Sequence, residues 1–269
     1  MAREIAADLP LPAEIAVAEA SADETSSPPP AWPQCPGVES TPSLAGKAAY
    51  YDDLARNLHV HDGLLRTVSL TEAGDRQPAS YHHSDNANYW TGLYLASQIF
   101  RYAATGEPEA LENALTAAEG LHHIQGVTGV PGLMARCYAT PDGLYGNKGE
   151  GDPKWYDSTA PGYEGWRFKG DVSKDGMTGV MFAYGVAAAL SDVAPEVRDA
   201  VAPDAAAVAH NLMDNDLLVI DVTGERTEHG DLYAFTSGGF PGFNALLASS
   251  FFKAAAELSG EQEIEDYYY

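Results

Sequence analysis

A helical segment that recurs along the chain constrains the fold more than any other feature. Its clearest copy is SDNANYWTGLYLASQIFRYAATG, residues 84–106. Ser84, Asp85 and Asn86 are side chains suited to accept backbone N–H bonds at a helix start. Tyr89, Leu93, Ala96, Phe100 and Ala103 follow at spacings of three and four, so they share one face. Trp90, Tyr94 and Leu95 add bulk off that face, and Gly106 supplies a stop. A helix apolar around most of its girth packs between other helices.

The pattern returns twice. Trp90-Thr91-Gly92-Leu93, with Ala96 beyond it, is matched by Met177-Thr178-Gly179-Val180 with Ala183. The close of the first copy, Ala104-Thr105-Gly106-Glu107, is matched by Leu258-Ser259-Gly260-Glu261 at the end of a helix expected over about 243–258. After the first two copies a short turn leads to a more polar helix beginning at Pro108 or Pro195, where proline suits the first turn. Helices joined so tightly are antiparallel neighbours. Repeated pairs bury their faces against the next pair. A further helix is expected over 43–59, and short strands near 64–70 and 217–222. Long loops precede only the apolar helices, so loops and apolar-helix N-termini should gather at one end.

The 269 residues are 45% hydrophobic, enough to bury a sizeable core, and carry a formal charge of −24. So acidic a chain lacks the basic face that nucleic acid or an anionic membrane requires, and it implies a soluble protein with an acidic surface. No apolar run has the length of a membrane span, and the N-terminus lacks the apolar core of a signal peptide. Residues 1–41 form an acidic tail followed by a Pro-rich linker, SSPPPAWPQCP, in which proline forbids regular structure. Such a linker is in keeping with an extracytoplasmic or cell-surface setting. Residues 42–269 form the folded domain. Cys35 and Cys137 are too far apart in sequence to suggest a disulfide framework or metal-ligand spacing.

The alternation of apolar and polar helices, the aromatic helix closing on Thr-Gly-Glu, and the acid-bearing long loops resemble the six-hairpin glycosidase superfamily of (α/α)6 toroids. The resemblance covers about Ser43 to Tyr269. It implies an all-α fold, a carbohydrate substrate, and a site in a cleft at the N-termini of the inner helices. A complete toroid has twelve helices and only half are present, with EQEIEDYYY resembling the start of the next outer helix. An incomplete toroid, the N-terminal half of a longer one, is therefore expected.

Glycoside hydrolysis needs two carboxyls flanking the scissile bond, one protonated and one ionised. Asp85 and Asp175 lie at the starts of two apolar helices and are the favoured pair, with Asp171 close by. Each also has a plainer reading as a helix cap or first-turn acid. Aromatic rings pack on the C–H faces of sugars, and Tyr89, Trp90, Tyr145 and Trp166 are candidates on or beside the loops. Arg136 and Arg167 suit bidentate binding of a uronate. Asn88, Lys174 and His229 complete the substrate-contact set. His82 or His83 would serve as base in the alternative, a polysaccharide lyase. The remaining alternative is a glycan-binding or interaction protein without catalysis. An oligo- or polysaccharide is the expected partner, with no metal and no cofactor. Phosphate-loop, calcium-loop and Gly-x-Ser-x-Gly patterns are absent.

Overall fold

In a computed structural model the described residues are 44–72, 78–143, 151–233 and 241–268. They belong to the unit Pro36–Tyr269. The tail assigned to 1–41, with Cys35, and Tyr145 lie outside them. The unit is mostly helical with small antiparallel sheets. Its helices are α1 (Leu44–Leu54), which continues as a π-helical turn over Ala55–His59, then α2 (Ala87–Thr105), α3 (Pro108–Gly126), α4 (Lys174–Ala189), α5 (Pro195–Asp214), α6 (Pro241–Ser259) and α7 (Gln262–Tyr268). Among the described residues they form no toroid.

The helix ends follow local chemistry. Gly106 ends α2 in the left-handed region, φ 68°, with its N–H donating to the Tyr102 carbonyl. Pro108 and Pro195 open α3 and α5. The N-cap of α4 is Ser173, whose hydroxyl accepts from the Gly176 N–H at 3.3 Å. Asn86 precedes α2 without a side-chain cap bond; Ser84 accepts instead from Ala87 and Asn86 through its carbonyl and hydroxyl. The caps expected from Asp85 and Asp171 therefore do not form, whereas Asp175 takes the first-turn position that its plainer reading gave it.

The repeat seen in sequence corresponds to a direct contact. A Cβ added to Gly92 would stand 2.2 Å from the Gly179 carbonyl oxygen, and one added to Gly179 would stand 2.5 Å from that of Tyr89. Asn88 lies against Gly176 nearby. Farther along, Phe100 shares a surface with Phe182 and Val186. Contacts thus advance together along both helices, so α2 and α4 run parallel. Lys174 reaches Asn244 at one end, and Gly185 approaches Ala254 toward the other, so α6 runs the same way. The three N-termini share one end of the unit.

Around this row, α3 packs on α2, and α5 packs on α6 and α3 more widely than on its chain neighbour α4. His122 of α3 bonds buried Asp204 of α5 at 3.0 Å, and His210 of α5 bonds Glu261 before α7 at 2.7 Å. The second hairpin is thus more splayed than the short 190–194 turn suggests.

The strands are short: β1 (Val60–His61) pairs β2 (Leu64–Leu65), and β3 (Thr67–Leu70) pairs β4 (Pro78–His82). In the long loop, β5 (Cys137–Ala139), β6 (Trp155–Asp157) and β7 (Arg167–Lys169) form an antiparallel sheet ordered β5-β7-β6. The strand expected over 217–222 is reduced to one bridge between Ile220 and Arg226. Asp216 and Leu217 have φ of 52° and 64°, which turns the chain where a strand must extend.

Gly92→Ala should lower stability by about 2–3 kcal/mol, since the methyl group meets backbone rather than a movable side chain. Thermal unfolding followed by circular dichroism measures this. A midpoint equal to that of the parent would refute the close approach of α2 and α4.

Candidate functional site

The shared N-terminal end of α2, α4 and α6 is closed over by loop segments. The Asn88 N–H donates to the Arg136 carbonyl at 3.1 Å, which ties the start of α2 to the approach to β5. The Lys174 N–H donates to the His229 carbonyl at 2.9 Å, which ties the start of α4 to the loop before α6.

Asp171 is the centre of this rim. It is buried and has a φ of 52°, a region that Asp tolerates better than most residues. Its carboxylate accepts from the Glu228 N–H at 2.7 Å and pairs with Lys154. Its own N–H donates to Asp221 at 2.9 Å. Burial alone would raise its pKa, but bonds from Lys154 and Glu228 outweigh that and hold it below the usual carboxylate range. Asp171 is therefore ionised and fully engaged in a clasp between loops.

Arg136 joins Asp171 to Asp85. Its Nε donates to the Asp171 carbonyl at 2.6 Å and its Nη1 to the Asp85 carbonyl at 3.3 Å. The Asp85 carboxylate, 61% exposed, bonds Lys169 at 2.7 Å, and Lys169 also reaches Asp152 at 3.0 Å. Backbone and Lys169 bonds lower the Asp152 pKa. Asp175 lies in the first turn of α4 and is exposed.

The aromatic and histidine candidates divide. His83 packs edge-on to Trp155 at 4.4 Å. Burial, then Arg66 and Lys169, bring its pKa down to about 4, so its ring is neutral at pH 7. Tyr89 meets Trp90 edge-on at 4.9 Å, and Trp90 is 48% exposed. Arg167 bonds Asp157 at 2.9 Å and lies 5.9 Å from the Trp155 ring centre. Trp166 sits elsewhere, in an aromatic cluster with His123, Tyr138 and Tyr163. His82 belongs to the β3–β4 hairpin, bonded to Ser69 at 2.7 Å. Asn88 is fully buried between α2 and α4. Lys174 reaches Asn244 at 3.1 Å, and exposed His229 lies 3.4 Å from Glu228.

The structure thus brings Asp85, Asp171 and Arg136 together and takes Trp166 and His82 away from them. Sequence reasoning missed Asp152, Lys154, Lys169, Asp221 and Glu228. A signal for the lysines was present: six of the fifteen Lys and Arg residues fall within 136–174. So dense a group of cations in an acidic chain marks where carboxylates converge. Rim residues line none of three clefts defined by described residues, of about 790, 490 and 630 Å³. Cys137 is fully buried, and its thiol pKa is pushed up to about 12, which makes it unreactive. Among the described residues no three His, Cys, Asp or Glu side chains are grouped as a metal site needs. No helix there is long and apolar enough to cross a membrane.

Comparison of the chain with known protein families, with curated proteins and with solved structures finds no match in any of the three.

Asp171→Ala should cost roughly 1–3 kcal/mol, because it removes the acceptor of the Glu228 N–H and leaves Lys154 paired with Glu228 alone. Denaturant unfolding measures the loss; a change below about 0.5 kcal/mol would contradict the clasp. The pH dependence has its own sign. The folded state holds His83 unprotonated down to about pH 4, whereas the unfolded chain binds that proton near 6.5. Its contribution to stability is complete above pH 6.5 and is lost as pH falls toward 4. His83→Phe should therefore lose less stability than the parent between pH 7 and 4.5. Equal losses would assign the acid sensitivity to other groups.

Proposed function

We propose that this chain is a carbohydrate-active protein of the six-hairpin, (α/α)6-toroid type, of which the described helices are part. Glycoside hydrolysis at the rim is the leading activity. The observation that carries this reading is the parallel contact of α2 and α4 through Gly92 and Gly179. Asp85 stands just before one helix and Asp175 within the first turn of the other, and both are exposed at the same end of two touching helices. Two carboxyls open to solvent on neighbouring elements are the minimum equipment of a glycosidase. Trp90 offers an exposed ring at the start of the same helix as a sugar platform.

Asp171 has a different part in this proposal. An acid kept ionised by Lys154 and a backbone N–H is unsuited to protonating a leaving group, so it shapes the rim instead. Lys169 orients Asp85. The fold resemblance supplies the substrate class and, as an analogy, does not by itself establish the reaction.

One observation favours a second reading, glycan binding without turnover. Asp85, Asp152 and Asp171 are each paired with a lysine, so these acids are engaged before any substrate arrives. The lyase reading has less support, because Arg167 is paired with Asp157 and both His83 ring nitrogens are buried.

A panel of neutral and uronate-containing oligosaccharides, assayed with the full chain, separates these readings. Hydrolysis should be detected, and Asp85→Asn and Asp175→Asn should each lower kcat/KM by about 10²-fold or more. Turnover unchanged in both variants would remove this site from the reaction. Saturable binding with no product would establish the binding reading, and an unsaturated product the lyase.

A further inference from the structure

The open side of the α2–α4–α6 row has the composition of an interior. Residues 87–100 of α2, 176–189 of α4 and 241–252 of α6 contain no Asp, Glu, Lys, Arg or His. Helices α3 and α5 are built in the ordinary way, with Glu112 and Glu119 exposed on one and Glu196 and Asp199 on the other. In a chain of formal charge −24, three neighbouring helices without an ionised group on their open side read as a face that another surface covers.

Large apolar side chains project from this face. Phe100 and Phe182 are half exposed, and with Ser250 they border one cleft of about 490 Å³ whose other described lining residues are also uncharged. Phe243, 50% exposed, and Leu246, 69% exposed, precede Ser250 at spacings that put them on its side of α6. The exposed parts of these side chains come to about 400 Å². The small residues between them bring the face toward the ~800 Å² that one partner contributes to a stable dimer.

The face also complements itself. Its central stripe on α4 is Thr178, Phe182, Gly185 and Ala189, none of them buried, with alternating steps of four and three residues. That is the seam spacing of paired helices. Turned end for end, the stripe matches its own copy: Phe182 faces Gly185, and Thr178 faces Ala189. Gly185 leaves room for the ring, since a Cβ added there would meet nothing closer than the Ala254 Cβ at 3.9 Å. Charge leads to the same occupant. Two such acidic chains repel wherever ionised surfaces meet, and the cost is least where neither copy carries charge.

We infer that this face is the interface of a homodimer. The α2–α4–α6 rows of two copies pack antiparallel about a twofold axis that passes between Phe182 and Gly185. Asp85 and Asp175 precede the uncharged stretches, so the two rims lie at opposite ends of the dimer. The inference goes beyond the glycan reading and does not rest on it.

Sedimentation equilibrium on the full chain tests this. A concentration-dependent species of twice the chain mass should appear, and added salt should strengthen it by screening the mutual repulsion. Phe182→Asp should raise the dimer dissociation constant about 100-fold or more, because each substitution acts twice across a twofold axis. Gly185→Leu fills the receiving space from within one copy, where its Cβ is accommodated, and should weaken the dimer by a similar factor. Circular dichroism checks that both variants keep their helices; should Phe182→Asp lose them, Gly185→Leu decides. Monomer at every attainable concentration overturns the inference, including a monomer that binds an anilinonaphthalene sulfonate dye and so leaves the face to another occupant. So does a dimer that folded variants leave unchanged, or aggregation without a discrete dimer.

Discussion

Where α2 crosses α4, the two backbones meet with no side chain between them. A single methyl group at Gly92 would come within 2.2 Å of the Gly179 carbonyl, well inside van der Waals contact. This approach sets α4 at a fixed distance and rotation against α2. It buries Asn88 against Gly176 and brings the starts of both helices to the same level. The rim loops attach to those starts through backbone bonds to Arg136 and His229. Glycine in mid-helix lowers helix propensity by about 1 kcal/mol, and burial of the two helix faces offsets that deficit.

The rim shows how an acidic chain organises itself with few cations. Arg136, Lys154 and Lys169 each serve more than one acceptor: two backbone carbonyls, two carboxylates, and two carboxylates respectively. Carboxylates drawn from the approach to α2, the loop before β6 and the loop before α6 are thereby held close despite like charge. The α1–α2 contact uses the same device, with Arg101 gathering Asp52, Glu107 and Glu109. Clustered in this way, acids can be brought near one another without protonation.

Helix positions were largely legible because they rest on local rules. The turn at Gly106-Glu107-Pro108, the proline at the start of α5 and the apolar spacing in α2 follow from φ preference, missing donors and the 3.6-residue period. The β5-β7-β6 sheet was not legible. Its strands are three residues each and separated by loops, too short to show alternation. The strand expected at 217–222 failed for the opposite reason: its apolar run is suitable, but left-handed backbone at Asp216 and Leu217 turns it. Of the candidate site, Asp85 and Asp175 were found from their position before or within a first turn. The partners of Asp85 were not, since Lys169 lies far along the chain.

By itself the sequence determined a repeated helical unit, the ends of its main helices, and a strongly acidic composition. These are properties of neighbouring residues and of totals, and they do not require knowing which segments meet. Tertiary structure alone decided that Asp171 is a buried clasp while Asp85 and Asp175 face solvent. The reason is that burial and ion pairing depend on distances between residues remote in sequence. Those distances are set by packing, here by two glycines that allow two helices to touch.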